Sequence, residues 1–406
     1  MNGEIIAVGT EILLGNIVNT NAQFLSEELS NLGINVYYQT VVGDNRERLE
    51  KTISEALKRA DLLILTGGLG PTDDDLTKET VAHLLGLEMY LHEESKALIE
   101  KYLKKNISES NLKQAYIPEG AIILRNDHGT APGIIVEKDE KIVVLLPGPP
   151  REMAPMFSEK VKPYLEEKSP YVMRSRILRL FGIGESSVGD TVKDLMQNDN
   201  PTVAPYAKDN ETILRVTARA ETKEEADMLN EEMIKKIDER LGEYIYSHND
   251  TELKIVCANK LREKNVTIAA AESCTAGLLT ATLAEVPGIS SVLKESIITY
   301  SNEAKEKYLN VNHKTLEKYG AVSAETAKEM AEGIKASAKS DIGISITGLA
   351  GPDGGTDEKP IGLVYIGLAT KNETKTFELR LIGRERNKIR HAAVMNALSI
   401  INKSLT

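Results

Sequence analysis

The 406-residue chain is poor in the residues on which several common kinds of site depend. It has two cysteines and no tryptophan, and aromatic residues make up 4% of the total. Two cysteines alone form neither a disulfide framework nor a metal-ligand set. The scarcity of aromatic side chains argues against the stacking platforms of single-strand nucleic-acid binders. Because the formal net charge is −11, the chain also lacks a general nucleic-acid binder's positive surface, and we expect no direct nucleic-acid contact.

Long hydrophobic runs are also missing. No run approaches the roughly 18 apolar residues of a membrane-spanning helix, and residues 1–4 lack the positive start of a signal peptide. We therefore expect a cytoplasmic protein without a membrane partner. Its hydrophobic fraction of 41% and charged fraction of 27% are ordinary for a globular protein with sizeable cores.

Three segments of the chain differ in their patterns. Residues 1–169 alternate predicted strands and helices, which indicates a mostly parallel sheet covered by helices. Residues 170–248 predict a small α+β unit around a charged amphipathic helix at 223–241. Residues 249–406 again alternate strands and helices. We therefore predict an α/β protein with domains at 1–169, 170–248 and 249–406.

A glycine-rich turn at 67–70 follows an apolar strand predicted at 61–65. Backbone amides at the carboxyl end of such a strand commonly bind ligands in open α/β sheets. Asp73, Asp74 and Asp75 follow the turn, and carboxylates beside exposed amides suit a divalent cation that bridges them to a pyrophosphate. The aspartates fit equally well a second interpretation, in which they cap the next helix.

A second candidate site begins where a predicted strand gives way to a helix, at 271–277 (AESCTAG). Ser273 offers a hydroxyl nucleophile, and Lys305, in the stretch 299–305 (TYSNEAK), offers an amine base if burial or nearby cations lower its pKa. An ordinary solvated lysine is the alternative interpretation of Lys305. The alternative is that Ser273 is the N-cap of the helix. Cys274 is a rival nucleophile, but no histidine lies nearby in the sequence, so a buried thiol is expected.

Free backbone amides would complete this serine-lysine arrangement. The amides between Thr275 and Gly277 lie at the start of the predicted helix, where they would be available to a developing oxyanion.

A basic run from Arg380 to Arg390 precedes the last predicted helix. It is typical of the solvated start of a helix, and a contact to phosphate is the alternative interpretation.

Two sets of sequence motifs in the chain resemble those of known protein families. The stretch 66–77 (TGGLGPTDDDLT) resembles the signature of the molybdopterin-binding fold, and the segments 9–15 and 147–150 fit the same fold. Asp44 and Asp75 fall on acidic positions of that fold. Joined to the serine-lysine segment, this pattern is similar to the CinA (competence/damage-inducible protein) family over essentially the whole chain.

The resemblance implies a metal-dependent ADP-ribose pyrophosphatase in the N-terminal domain. ADP-ribose would be hydrolysed to AMP and ribose 5-phosphate, with Asp44 and Asp75 holding a divalent metal and Gly67, Gly68 and Gly70 contacting the substrate. The middle segment resembles the family's KH-like connecting domain. Because it lacks an obvious G-x-x-G clamp, we do not infer RNA binding.

For the C-terminal domain, the resemblance implies a nicotinamide-nucleotide amidohydrolase that converts NMN and water to nicotinic acid mononucleotide and ammonia without a cofactor. Ser273 matches the nucleophile, with Tyr300 and Lys305 as its activators. Thr347 matches the loop that closes the pocket. The remaining predicted substrate-binding residues lie in two turns: Thr275, Gly277, Gly348 and Gly351.

The chain departs from the family pattern at two places. Ala276 stands where the family often has glycine, and Glu295 and Ser296 replace a glycine pair. A carboxylate near the pocket would change substrate preference.

Our first prediction is a homodimeric, bifunctional hydrolase of pyridine-nucleotide recycling. The alternative is a competence- or DNA-damage-associated accessory protein that acts through a protein partner and has a non-catalytic, ligand-binding N-terminal domain.

Overall fold

The computed structural model describes residues 1–104, 108–168 and 171–405. These residues form two compact units, one built from Met1–Ser175 and Thr217–Glu231, the other from Arg176–Val216 and the chain from Glu232 onwards. The predicted domain boundary between residues 169 and 170 lies outside the described residues. Within the described part of the chain, no helix combines the length and the apolar character needed to cross a membrane.

The N-terminal segment is built on a six-stranded sheet with the strand order β2-β1-β3-β8-β7-β6. Its strands, together with the two-stranded β4-β5 pair, are β1 (Asn2–Val8), β2 (Asn35–Val42), β3 (Leu62–Thr66), β4 (Met89–Leu91), β5 (Tyr116–Pro118), β6 (Ile122–Leu124), β7 (Gly133–Lys138) and β8 (Lys141–Leu146). Strands β2, β1, β3 and β8 run parallel, whereas β7 and β6 are antiparallel to their neighbours. The prediction of a mostly parallel sheet is confirmed.

Helices cover both faces of this sheet. They are α1 (Thr10–Leu13), α2 (Thr20–Asn31), α3 (Arg46–Leu57), α4 (Thr77–Leu84), α5 (Glu93–Leu103), α6 (Glu109–Lys113), α7 (Pro150–Met156) and α8 (Lys162–Lys168). Neighbouring residues of β3 enter opposite cores: Ile64 packs with Leu25 of α2, and Leu65 packs with Ile53 of α3. Burial on both faces explains why these strands are continuous apolar runs instead of alternating patterns.

The middle segment forms a four-stranded sheet with the order β10-β11-β9-β12. Its elements are β9 (Val172–Leu180), α9 (Glu185–Thr191), β10 (Thr202–Lys208), β11 (Glu211–Ala220), α10 (Lys223–Leu241) and β12 (Ile245–Ser247). The charged helix α10 has the bounds that its periodicity predicts. Strand β10 was not predicted, because Pro205 interrupts its pattern and its residues are largely exposed.

The C-terminal segment is a five-stranded sheet with the order β14-β13-β15-β16-β17. Its elements are α11 (Leu253–Glu263), β13 (Ile268–Glu272), α12 (Leu278–Ala284), β14 (Leu293–Ile298), α13 (Asn302–Leu309), α14 (His313–Tyr319), α15 (Ala324–Ala338), β15 (Ile342–Gly348), β16 (Leu363–Ala369), β17 (Thr374–Arg380) and α16 (Arg386–Ser404). Strands β14, β13 and β15 are parallel, and β16 and β17 extend the sheet in antiparallel fashion.

The three parallel strands of this sheet bring distant parts of the sequence to one edge. Glu272 lies opposite Ile298 on one side and Ile346 on the other. The residues that follow these strand ends therefore meet at the carboxyl edge, where open α/β sheets place their ligands. Ser273 and Thr299 both lie there.

Candidate active sites

Ser273 follows the buried strand β13 directly. Its backbone amide donates to the carbonyl of Ile346 at 2.9 Å and so continues the pairing with β15. Helix α12 begins five residues later, at Leu278, and its N-cap is Gly277, with φ +88° and no side-chain cap. Ser273 is therefore not a helix cap, and its hydroxyl is free for another role.

Lys305 brings its amine to the Ser273 hydroxyl. It lies in the first turn of α13, which Ser301 caps by accepting from the Ala304 amide at 3.2 Å. The Lys305 Nζ donates to Ser273 Oγ at 3.1 Å and to the Thr299 carbonyl at 2.8 Å. The side chain is buried, with 1% exposure, and no carboxylate lies within 4 Å of its amine among the described residues.

Burial decides the protonation of this pair. Loss of hydration disfavours the ammonium and lowers the pKa of Lys305 from 10.5 to about 8. A lysine in that range is neutral often enough near neutral pH to accept the Ser273 proton. Burial acts in the opposite direction on Cys274 and raises the pKa of its thiol to about 11. A thiolate at Cys274 is thus disfavoured, which supports the expectation of a buried thiol.

The amides after Ser273 are only partly free. Ala276 N donates to the Ser273 carbonyl at 3.1 Å, and Leu278 N donates to the Thr275 carbonyl at 3.2 Å. The prediction that all amides from Thr275 to Gly277 are free is therefore wrong for Ala276. Among the described residues, the Thr275 and Gly277 amides donate to no backbone carbonyl, so these two remain as candidate donors to an oxyanion.

Arg386, which was not predicted to belong to the site, contacts both Tyr300 and Gly351. The Tyr300 ring is exposed, and its hydroxyl accepts from Arg386 Nη2 at 3.1 Å. The Nη1 group of Arg386 donates to the Gly351 carbonyl. The backbone carbonyl of Tyr300 lies 3.5 Å from Lys305 Nζ. The Tyr300 hydroxyl contacts Arg386 and not Lys305.

Thr347 and Gly348 end strand β15 beside Ser273, but their environment is structural. The Thr347 hydroxyl is buried and donates to the Ala321 carbonyl at 2.7 Å. A Cβ added to Gly348 would lie 2.7 Å from Val364 Cγ2, so glycine is needed for packing against β16. Thr275 is also buried, and its hydroxyl has no hydrogen-bond partner among the described residues.

Two further residues near Ser273 were missed by the sequence analysis. Glu272 is fully buried; its carboxylate accepts from the amides of Leu279 at 3.1 Å and Thr280 at 2.9 Å, which fixes the start of α12 to β13. Arg390 Nη2 donates to the Thr275 carbonyl at 2.8 Å. The signals in the sequence were a glutamate that ends an apolar strand and the basic run before the last helix.

The carboxylate of Glu295 lies apart from the nucleophile. It accepts from the Ser337 hydroxyl at 3.2 Å, and its residue pairs with Ala269, well before the end of β13. Its neighbour Ser296 shares a hydrogen bond of 2.5 Å with the Thr280 hydroxyl. The expected effect of Glu295 on the pocket therefore has no contact to support it.

The N-terminal candidate site is a cleft of about 400 Å³ in which the glycine turn faces several carboxylates. Gly67 and Gly68 have φ values of +98° and +66°. A Cβ on Gly67 would lie 2.1 Å from the Val8 carbonyl, and one on Gly70 would lie 2.4 Å from the Asp75 carboxylate. Glycine is thus required at position 67, where the turn passes the Val8 carbonyl, and at position 70, where the Asp75 carboxylate lies against the backbone.

Threonines orient the two predicted metal ligands. The Asp44 carboxylate accepts from the Thr10 amide at 2.9 Å and from its hydroxyl at 2.8 Å. The Asp75 carboxylate accepts from the Thr72 amide at 2.9 Å and from its hydroxyl at 2.5 Å. Helix α4 has Leu76 as its N-cap without a side-chain hydrogen bond. Asp75 therefore closes the preceding turn and does not cap the helix.

The donor set fits only one mode of metal binding. No group of three or more His, Cys, Asp or Glu side chains converges as a metal site within the described residues. The cleft nevertheless gathers five carboxylates: Glu11, Asp44, Asp74, Asp75 and Glu152. Mg²⁺ is commonly held by one or two carboxylates together with substrate phosphates and water. The described residues offer the oriented carboxylates of Asp44 and Asp75 for this mode, and they form no dedicated cage of three or more ligands.

A buried lysine stabilises one wall of this cleft. Lys78 Nζ donates to the carbonyls of Gln114 at 2.8 Å and Tyr116 at 2.9 Å. Burial lowers its pKa to about 8. Gln114, which it holds in place, donates to the Leu69 carbonyl at 3.3 Å and lines the cleft. The sequence analysis did not identify Lys78, because a lysine in the first turn of a helix is usually solvated.

Three family models match successive parts of the chain. The probable molybdopterin binding domain matches residues 4–167, the damage-inducible protein CinA KH domain matches 175–247, and the CinA C-terminal domain matches 250–405. Together these matches cover nearly all of the chain, in the order that the sequence motifs predict.

Relatives that match the whole length of the chain agree with these family models. A CinA-like protein of Dictyoglomus turgidum is 53% identical over 409 residues, covering 100% of this chain and 99% of its own. A CinA-like protein of Kosmotoga olearia is likewise 53% identical, with the same coverage. The crystal structure of the protein CinA, of unknown function, from Thermoplasma acidophilum is 37% identical and covers 40% of this chain and 96% of its own, with a TM-score of 0.39. The chain therefore belongs to the CinA family of competence/damage-inducible proteins.

Proposed function

We propose that the C-terminal site hydrolyses the carboxamide of NMN to give nicotinic acid mononucleotide and ammonia. The observation that carries the proposal is the buried contact of 3.1 Å between Lys305 Nζ and Ser273 Oγ. A serine hydroxyl becomes an effective nucleophile when an adjacent base takes its proton. Lysine provides that base once burial has brought its pKa to about 8.

The contacts of these groups support a reaction in two stages. Neutral Lys305 takes the hydroxyl proton as Ser273 Oγ bonds to the carboxamide carbon, and the carbonyl oxygen becomes an oxyanion. The free amides of Thr275 and Gly277 are the candidate donors to that oxyanion. The Lys305 ammonium then gives its proton to the leaving nitrogen, and ammonia departs with the broken C–N bond.

The second half of the reaction restores the serine. Water attacks the acyl carbon while Lys305 accepts a proton from it, and the ester bond to Ser273 Oγ breaks. Lys305 returns the proton to the serine oxygen, and the product leaves as a carboxylic acid that ionises in water. Lys305 thus acts as base, acid, base and acid in turn, which requires a pKa near the working pH.

Ammonia release from NMN, measured with purified variants, tests this mechanism. Ser273→Ala and Lys305→Ala should each remove most of the activity, and the double variant should be scarcely worse, because members of one catalytic unit are non-additive. Cys274→Ala is the matched control, since it truncates the neighbouring buried side chain. An active Ser273→Ala variant, or an inactive and well-folded Cys274→Ala variant, would refute the assignment.

We further propose that the N-terminal cleft hydrolyses the pyrophosphate of ADP-ribose to AMP and ribose 5-phosphate. The supporting observation is that the glycine turn and the oriented carboxylates of Asp44 and Asp75 line one cleft. A divalent metal held by these two carboxylates would neutralise phosphate charge. The Gly67 amide donates to the Leu146 carbonyl at 3.0 Å, so the amides of residues 68–70 would position the phosphate oxygens.

Two assays on the same protein separate this proposal from the accessory-protein alternative. The Ser273→Ala variant should release AMP from ADP-ribose at the wild-type rate, since the cleft is built from residues of the N-terminal segment alone. A wild-type protein that releases neither ammonia from NMN nor AMP from ADP-ribose, with several divalent metals supplied, would favour the accessory role.

A further inference from the structure

The end of helix α6 holds the turn that carries Asp75. Lys113, the last residue of α6, donates from Nζ to the backbone carbonyls of Thr72 at 3.0 Å and Asp75 at 2.5 Å. Thr72 is also the residue whose amide and hydroxyl orient the Asp75 carboxylate. One ammonium group therefore fixes the backbone of both residues that determine where this carboxylate points.

Lys113 acts on this turn from outside the cleft. Thr72 and Asp75 line the cleft, whereas Lys113 is not among its lining residues. The ion-pair partner of the Lys113 amine is the Glu79 carboxylate, at 3.9 Å, and its two shorter contacts are to backbone carbonyls. Lys113 can therefore influence a ligand in the cleft only through the turn that it holds or through its charge.

A second lysine fixes the position of α6, since a helix of five residues is not stable on its own. Lys78 Nζ donates to the carbonyls of Lys113 at 3.2 Å, Gln114 at 2.8 Å and Tyr116 at 2.9 Å. The three donors of this ammonium group are thus all used to bind carbonyls at and beyond the end of the helix. Because Lys78 is buried, the position of Lys113 depends on the interior of the N-terminal segment and not on a free surface loop.

We propose that Lys113 is a positioning residue that keeps the Asp75 carboxylate in the geometry required to bind the divalent cation. The proposal rests on the pyrophosphatase function of the N-terminal cleft and adds a residue that acts through one of its metal ligands. Mg²⁺ requires nearly ideal octahedral geometry. Loss of a group that orients a metal ligand typically costs roughly 10- to 100-fold in metal affinity.

The sign of the effect separates this role from a simple effect of charge. A positive group near a bound cation repels it, so removal of the Lys113 ammonium would by itself strengthen metal binding. A role in positioning predicts the opposite result, because Asp75 loses its fixed orientation when the turn is released. Weaker metal binding by a folded variant would therefore report the loss of positioning.

Binding of Mn²⁺ to the full-length protein, measured by water-proton relaxation, tests this role without relying on catalysis. We expect Lys113→Met, which removes the ammonium and keeps the apolar stem, to raise the Kd for Mn²⁺ about tenfold or more. The Mg²⁺ concentration that gives half-maximal AMP release from ADP-ribose should rise by a similar factor. Saturating Mg²⁺ should restore most of the rate, which it could not do for an unfolded variant.

Lys141→Met is the matched control. Lys141 also donates to a backbone carbonyl, that of Ala60 at 2.9 Å, and it lies 3.7 Å from the Asp61 carboxylate. Its side chain is 30% exposed, against 24% for Lys113. Lys141 begins strand β8, whereas the cleft lies beyond the other end of this strand, so its loss should leave the Kd for Mn²⁺ unchanged.

Asp75→Asn shows whether Lys113 acts through this carboxylate. If it does, Lys113→Met should weaken Mn²⁺ binding no further in the Asp75→Asn protein, because residues that act as one unit are not additive. An unchanged or lower Kd in Lys113→Met, an equal loss in Lys141→Met, or additive losses with Asp75→Asn would each overturn the proposal.

Failure of the pyrophosphatase function gives a different result. A wild-type protein that binds Mn²⁺ but releases no AMP from ADP-ribose would refute that function alone, since the Mn²⁺ affinities still decide the role of Lys113. A wild-type protein that neither binds Mn²⁺ nor needs a divalent ion would refute both.

Discussion

The protonation of Lys305 makes the sharpest prediction about the serine-lysine site. With a pKa of about 8 in place of 10.5, about 9% of the amine is neutral at pH 7, against roughly 0.03% for an unperturbed lysine. Burial therefore increases the population of the base about 300-fold. We expect log kcat/KM for NMN to rise with unit slope up to about pH 8 and then to level off.

The same shift predicts how stability depends on pH. Below pH 8 Lys305 is protonated in both the native and the unfolded chain, and the native state bears the full penalty of burying a charge. Between about pH 8 and 10.5 only the unfolded chain holds the proton, so the free energy of unfolding rises with pH, by up to about 3 kcal/mol at 1.36 kcal/mol per pKa unit. Lys305→Met lacks this titration and should lack the rise.

Urea denaturation at pH 7 and pH 10 measures this difference, because other groups titrate alike in both proteins. The stability of the wild type relative to Lys305→Met should increase at the higher pH. A relative stability that does not change with pH, or a kcat/KM profile that is flat from pH 6.5 to 9, would refute the argument from burial. Lys305→Arg keeps the charge but cannot become neutral, so it should be inactive at every pH.

Three further predictions concern other parts of the chain. Asp75→Asn should lower AMP release from ADP-ribose at least tenfold, as for the loss of a charged ligand, and leave ammonia release unchanged; Asp73→Asn, which does not line the cleft, should retain both rates, and equal rates in the two variants would argue against the metal role. Glu272→Gln should lower the free energy of unfolding by about 2 kcal/mol, because two amides lose a charged acceptor; unchanged urea stability would contradict this. A fragment of residues 250–406 should fold cooperatively and deamidate NMN, since its buried core lies within Leu253–Leu405; a molten or inactive fragment would show dependence on the rest of the chain.

The long, strongly patterned elements could be predicted from the sequence. Helix α10 has its predicted bounds. Ser323, a serine directly before an apolar helical pattern, caps α15 and accepts from the Thr326 amide at 3.2 Å. The exact ends of helices are harder to predict: Asn19 and Thr20 are adjacent at the start of α2, and Asn19 is the cap. Adjacent residues with similar capping side chains cannot be ranked by pattern alone, because the choice depends on the backbone angles that tertiary packing imposes.

The short strands could not be predicted. Strands β4, β5 and β6 contain three residues each, too few to show an alternation of apolar and polar side chains. Their pairing depends on partners distant in sequence, as in the contact between Met89 and Pro118. A local pattern contains no information about such a partner.

The residues of the serine-lysine site could likewise be predicted only in part. Ser273 was identified because it follows a predicted strand, and Lys305 because it lies in the short stretch 299–305. Strand β14, which precedes Lys305, was not predicted. Arg390 was not identified, because it contacts Thr275 across 115 residues of sequence. An arginine at the start of a helix is most often solvated, and only the packing of α16 against the sheet places it beside the nucleophile.

Lys305 and Arg386 have different roles in this site, and the structure explains why lysine and arginine are not interchangeable there. Lys305 is buried and can give up its proton, because an ammonium loses much by desolvation. Arg386 is exposed, and its guanidinium offers a planar fork of donors and no acceptor. Lys305→Arg would replace a base with a permanent cation, whereas Arg386→Lys would keep a charge but lose the planar fork. The first change should abolish ammonia release, whereas the second should lower it only in part, since Arg386 contacts Tyr300 and Gly351 and not the reacting pair. An Arg386→Lys variant as inactive as Lys305→Arg would show that this distinction between the two cations is wrong.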